Sequence, residues 1–429
     1  SIARLNAMFL IVFIVIGFIA TLAGIVLTLN AEYIFSSKLT VNELSTAKIL
    51  MMLMVINIAF SFPNIVFKSH ITANEKFIFQ KTLQMIRIIV NPFLVLPILF
   101  LDYGSIGMVI VSTILNVSIE ISNVIFCFKK LNMIFSFRKF DFSLMREMTI
   151  FSSFIFINII VNQVNWNIDK YILGRFHGTI PVALYGLAAK LNMHYQSLSI
   201  TISHVFIPRA HKMVAKKDNT KDLTLLFTKI GRVQFILLSV IMTGFIFFGK
   251  PFINMWAGTN YNGSYLIALL LIIPITIPLI QNLGIEIQRA KNMHQFRSWT
   301  YLFIAILNVI ITIPLAKNYA GAGAAMGTAI SLLFGNGLVM NWYYHTKVGL
   351  DMKYFWLQIA RFIPSFIFPL LTGIFINLFV NLYKIKYFII YALVYLTIFT
   401  ISMWLLGMNQ YERDLIRKPI IKMLKKRRT

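Results

Sequence analysis

Residues 102–114 read "DYGSIGMVIVSTI", and residues 318–330 read "NYAGAGAAMGTAI". Each stretch joins two long apolar runs. Outward from them the likeness continues: "ITANEKFIFQ" (71–80) is echoed by "IQRAKNMHQFRS" (287–298) at nearly the same offset, and "SIARLN" (1–6) by "KIGRVQ" (229–234). A block of four apolar runs that recurs predicts two pseudo-symmetric bundles. Two further runs precede the second copy and none precedes the first. The expected plan is therefore two six-helix lobes, the first without its opening pair, with lobes at 1–147 and 148–345, a terminal helix pair at 346–406 and a basic tail at 407–429.

Hydrophobic residues make up 58% of the chain and charged ones only 13%, with a mean hydropathy of +0.77. That composition excludes an ordinary soluble domain. Spans long enough to cross a bilayer as helices are predicted at 7–29, 47–67, 83–101, 104–127, 148–168, 181–207, 228–249, 264–288, 299–316, 322–344, 356–380 and 387–406. They are apolar on most sides rather than alternating, so the fold class is an all-α polytopic membrane protein, not a barrel.

The net charge of +26 would suggest nucleic acid in a soluble protein. Here most Lys and Arg fall in alternate links and in the tail, the positive-inside pattern, which puts both ends in the cytoplasm and leaves no nucleic-acid role. The six tryptophans fall near predicted helix ends, where an amphipathic ring is favoured. The lone Cys127 excludes an intramolecular disulfide and a cysteine-based metal cluster. No catalytic residue, metal site or cofactor motif is expected, since HExxH, CxxC, Walker and nucleophile-elbow patterns are all missing.

"WNIDKYILGRFHGTIPVALYGLAAKL" (166–191), "GRVQFILLSVIMTGFIFFGKPFINMWAGTNY" (231–261) and "AGAGAAMGTAISLLFGNGLVMNWYYHTKVGLD" (320–351) resemble, in order and spacing, the polysaccharide-biosynthesis flippases of the multidrug/oligosaccharidyl-lipid/polysaccharide exporter superfamily. The resemblance covers essentially the whole chain. It implies a MATE-like exporter fold in a bacterial cytoplasmic membrane. It also implies alternating access between two lobes and an undecaprenyl-pyrophosphate-linked glycan as cargo. The membrane lipid, a polysaccharide polymerase and glycosyltransferases are the partners it implies. In such proteins the first two helices of each lobe line the central cavity, here 148–168 and 181–207.

Those two spans carry the candidate contacts. Lys190, His194, Ser197, Thr201 and His204 recur at helical spacing on one stripe, and Asn192, Gln196, Ser199 and Ser203 make a second. A mid-span ammonium needs water or an anion, and a pyrophosphate would supply one. Asn158, Asn162, Asn165 and Asp169 repeat the spacing on the preceding span, with Asp169 and Lys170 expected at its outer mouth. Amide side chains offer sugars both donors and acceptors. Arg87 and Arg361 are added as further cations near substrate.

Shorter polar stripes occur at Asn57, Ser61, Asn64 and Lys68, at Asn116, Glu120 and Asn123, and at Asn282, Glu286 and Arg289. These either hydrogen-bond neighbouring helices or line a path. Glu120 and Glu286 are candidates for coupling or for ion pairs with Arg87 or Arg289, and His204 for a proton relay. The competing readings are a drug or cation exporter of the same superfamily, a non-transporting remnant, and a membrane polymerase or glycosyltransferase. The exporter would favour an acidic cavity, and the enzymes would need a sizeable external loop.

Overall fold

The computed structural model describes residues 2–35, 39–137, 163, 167–216, 220–415 and 417–418. Among them there is no strand, and nine helical segments are long and apolar enough to cross a membrane. The protein is a multi-pass membrane protein. It divides into two compact units, Ser1–Ile155 and Phe156–Thr429. The span expected at 148–168 lies almost wholly outside the described residues.

In the first unit α1 (Ile2–Leu29) is followed by a five-residue helix, Ala31–Phe35, and then by α2 (Val41–Ala73), α3 (Phe77–Phe100) and α4 (Gly104–Lys129), the last three joined by short turns. Thr40 and Glu43 form a capping box that starts α2, satisfying two of its orphan donors. Helices α2 and α4 are zipped by polar residues at a nearly constant sequence offset, so they run parallel. The amide of Asn57 donates to Thr113 Oγ1 at 2.7 Å, and Asn64 donates to the Glu120 carbonyl at 2.8 Å. Asn123 donates to Asn64 Oδ1 at 3.3 Å. Both stripes of this unit thus hydrogen-bond each other, the use expected of amides in a medium without water.

The second unit contains a short helix at 167–177, then α5 (Thr179–Ala215), α6 (Thr220–Ala257), α7 (Ser264–Leu279), α8 (Asn282–Ala290) and α9 (His294–Leu332). The helical path runs on through two π turns to Val348, and α10 (Met352–Ala360), α11 (Ile367–Phe379) and α12 (Ile385–Ser402) complete the unit. The terminal pair α11 and α12 packs on α6 and is part of this unit.

Two expected spans are broken. Residues 264–288 separate into α7 and α8 at Ile280 and Gln281, just after Pro278, and 356–380 break between Arg361 and Phe366, around Pro364. Proline removes a donor and crowds the preceding turn, which frees carbonyls that need new partners. At the first break Ser199 of α5 donates to the Leu279 carbonyl at 2.7 Å.

The two quoted repeats fold alike. Gly104 (φ 56°) and Ala320 (φ 47°) stand at equivalent positions, and both take a positive φ as the chain reverses. Three residues on, Gly107 and Gly323 allow the two arms of each hairpin to touch. A Cβ at Gly107 would run into Ile98, and one at Gly323 into the Leu315 carbonyl. At the other end of the block Glu75 and Asn292 share the positive φ of the tight turn between helices.

Candidate functional site

Helix α5 decides what the second unit presents. Its two polar stripes point in opposite directions. Asn192, Ser199 and Ser203 are buried, and Gln234 of α6 donates to Ser199 Oγ at 2.9 Å and to Ser203 Oγ at 2.6 Å. Asn282 of α8 adds a bond to Ser199 Oγ at 3.1 Å. This stripe rivets α5 to its neighbours.

The other stripe is exposed on the surface of the unit: Lys190, His194, Ser197, Thr201 and His204. Ser197 and Thr201 donate back to carbonyls of their own helix, at 2.7 and 2.8 Å. Lys190, His194 and His204 have no hydrogen-bond or ion-pair partner among the described residues. Lys190 lies about 16 Å along α5 from its start, well inside the helix.

The companion stripe is only partly visible, because Asn158, Asn162 and Asn165 lie outside the described residues. Asp169 corrects the expectation of an outer mouth. It is 1% exposed and turned inward, accepting hydrogen bonds from Tyr185 and, at 2.9 Å, from Thr328. Thr328 also contacts Asn308, to which Thr312 donates at 2.8 Å. A carboxylate in an apolar bundle needs such donors, and finding them draws it away from any surface. Among the described residues Lys170 reaches Asn167, at 3.4 Å.

Two of the remaining carboxylates are paired with cations. Glu286 takes Arg289 at 2.7 Å and lies 3.7 Å from His211 Nε2, while Glu120 takes Lys68 at 3.7 Å rather than Arg87. Arg87 is exposed in the first unit, and Arg361 is exposed where α10 ends, bonded to Gln358 at 3.2 Å. Among the described residues no group of three or more His, Cys, Asp or Glu could hold a metal ion.

One polar centre has no local signature in the sequence. Arg232 of α6 is buried against Glu412, 2.6 Å from it, donates to the carbonyls of Gln358 and Gly407, and lies over the Phe362 ring. Its role is to hold the segment after α12 on the core. The partners are far along the chain, so only the basic residue of "KIGRVQ" could have drawn notice.

The chain is 26% identical over 188 residues to the "Putative O-antigen transporter" of Shigella dysenteriae. The match takes in 43% of this chain and 45% of that protein, less than half its length. Among solved structures, the lipid II flippase MurJ in an inward closed conformation superposes with a TM-score of 0.74 at 18% identity, over 96% of this chain and 85% of its own. The Vibrio cholerae MATE transporter VcmN superposes with a TM-score of 0.51 at 15% identity, over 82% of this chain and 81% of its own. At such identities the likeness is one of fold: the chain shares the all-α fold of these two structures. The family model described as "Polysaccharide biosynthesis protein" matches residues 6–266, more than half of the chain, so the chain belongs to that family.

Proposed function

We propose that the protein carries an undecaprenyl-pyrophosphate-linked oligosaccharide across the bacterial cytoplasmic membrane by alternating access, without catalysing a covalent step. The exposed stripe of α5 would form part of the path. One observation carries this reading: Lys190, His194 and His204 sit unpaired on an outward face well inside α5, a 37-residue helix that is too polar to count among the nine apolar segments, while the polar stripe behind them is consumed by packing. A lysine facing lipid there costs about 2.5 kcal/mol or more, so water or an anion must face it. A pyrophosphate meets the ammonium as a point charge, and imidazoles and hydroxyls along the stripe can exchange hydrogen bonds with sugar as it moves. A cation exporter would want the opposite sign on this face.

The distribution of Lys and Arg supports both chain ends lying in the cytoplasm, where glycosyltransferases would deliver the cargo and beyond which a polymerase would receive it. Arg361 and the amides at 158, 162 and 165 belong to the proposed contacts, and Asp169 to the framework behind them.

The test is translocation of a short undecaprenyl-pyrophosphate oligosaccharide in proteoliposomes. Lys190→Ala should slow flipping at least tenfold and Lys190→Arg should retain most of it, with both variants folded. Equal rates for Lys190→Ala and the unmodified chain would end the proposal.

A further inference from the structure

The first unit holds a cationic site of its own. Between α2, α3 and α4 lies a pocket of about 650 Å³ lined by Lys68, Ser69, Thr72, Gln84 and Arg87, among others. Its frame is set. Gln80 donates to the Lys68 carbonyl at 2.7 Å and accepts from Thr72 at 3.2 Å, tying the two arms together beside the turn at Glu75. Lys68 Nζ lies 3.7 Å from the largely buried Glu120, and Arg87 has no hydrogen-bond or ion-pair partner among the described residues. One carboxylate facing two cations leaves the pocket net positive.

Its depth suits a headgroup. Lys68 stands about 8 Å from the end of α2 and Arg87 about 15 Å from the start of α3, so both cations lie within the half of a bilayer of about 30 Å that is nearest the turn between these helices. Basic pockets at such depth between spanning helices attract lipid phosphate.

The repeat supplies an independent observation. At the equivalent place in the second unit, counted from the turns at Glu75 and Asn292, the half-buried Ile285 replaces Lys68. Ile304 replaces Arg87 and is packed against Gly335, which replaces Ile119. One copy of the scaffold fills this space with apolar side chains. The other leaves it open and furnishes it with two cations, amides and hydroxyls.

We infer that the pocket between α2, α3 and α4 binds the phosphate of an anionic lipid headgroup, through Lys68 and Arg87. The glutamate is its internal competitor: Lys68 leaves Glu120 when a phosphate arrives.

The test is lipid binding to the purified full chain in detergent, counted by native mass spectrometry. The probes are phosphatidylglycerol, phosphatidylcholine and undecaprenyl pyrophosphate, with soluble pyrophosphate as competitor. An anionic lipid should bind about tenfold tighter than phosphatidylcholine. That preference should vanish in Lys68→Gln/Arg87→Gln, survive in the surface control Lys353→Gln, and grow in Glu120→Gln, a gain that misfolding would not produce.

Preference for phosphatidylglycerol assigns the site to a glycerophospholipid. Preference for undecaprenyl pyrophosphate alone assigns it to the isoprenoid lipid, and displacement by soluble pyrophosphate shows that the headgroup suffices. No preference for either anionic lipid, or a preference that the double variant keeps, overturns the inference. Transport plays no part in the readout, so failure of the flipping proposal leaves this one standing.

Discussion

Arg232 and Glu412, 180 positions apart, meet at 2.6 Å in the interior of the second unit, their side chains only 4% and 2% exposed. Burying two charges is costly, and the pair is tolerable because further partners complete it. The backbone N–H and side chain of Asn409 both donate to Glu412, and carbonyls receive the remaining guanidinium protons. Removing one partner strands the other. Arg232→Ala or Glu412→Ala should cost about 3–5 kcal/mol, whereas Arg232→Met/Glu412→Leu should recover much of that loss. Thermal unfolding in detergent checks the order, and a double variant no better than the singles would refute it.

Gln234→Leu removes the donor that joins Ser199 and Ser203 to α6. It leaves those hydroxyls with fewer partners, so a loss of about 1–3 kcal/mol is expected. Gln196 is only half-buried on α5. Gln196→Leu should cost less, and the difference in melting temperature between the two variants is the measurement.

The glycines divide by what surrounds them. A Cβ at Gly323 meets a backbone carbonyl that cannot yield, while one at Gly186 meets nothing within 4 Å. Gly323→Ala should collapse the yield of monodisperse protein. Gly186→Ala should raise stability by up to about 1 kcal/mol, because alanine restricts the unfolded helix. Size-exclusion profiles of the two variants would expose any reversal.

Thiol labelling separates water from lipid along α5. The native Cys127 is fully buried and gives a silent background. Lys190→Cys, His194→Cys and Thr201→Cys should react with a hydrophilic maleimide in membranes, and Ser199→Cys should not. If all four stay unlabelled, the outward stripe faces lipid or protein, and the proposed path is lost.

Much of this architecture can be read from the chain. Apolar length marks most of the spans, though not the one expected at 181–207, whose helix α5 is too polar to count among the nine apolar segments, and the shared turn at Gly104 and Ala320 follows from the repeat. The breaks after Pro278 and around Pro364 are legible as proline positions, though not as full interruptions, because a break depends on a partner such as Ser199 arriving from another helix. Two polar stripes on α5 are visible from spacing alone. Which of them turns inward depends on Gln234 and Asn282, which lie beyond any local window. Asp169 misled for the same reason: a carboxylate near a predicted helix end looks accessible until Tyr185 and Thr328 are known to reach it. The Arg232 cluster was illegible, since its partners lie far along the chain.

The opposed stripes of α5 also bear on how such a protein can change over generations. Structural duty rests on Asn192, Ser199 and Ser203, and the outward positions 190, 194, 197, 201 and 204 carry little of it. Substitutions along the outward face can therefore accumulate one at a time without unravelling the helix's attachment. A lineage meeting a new surface sugar could retune its recognition there while inheriting the scaffold intact.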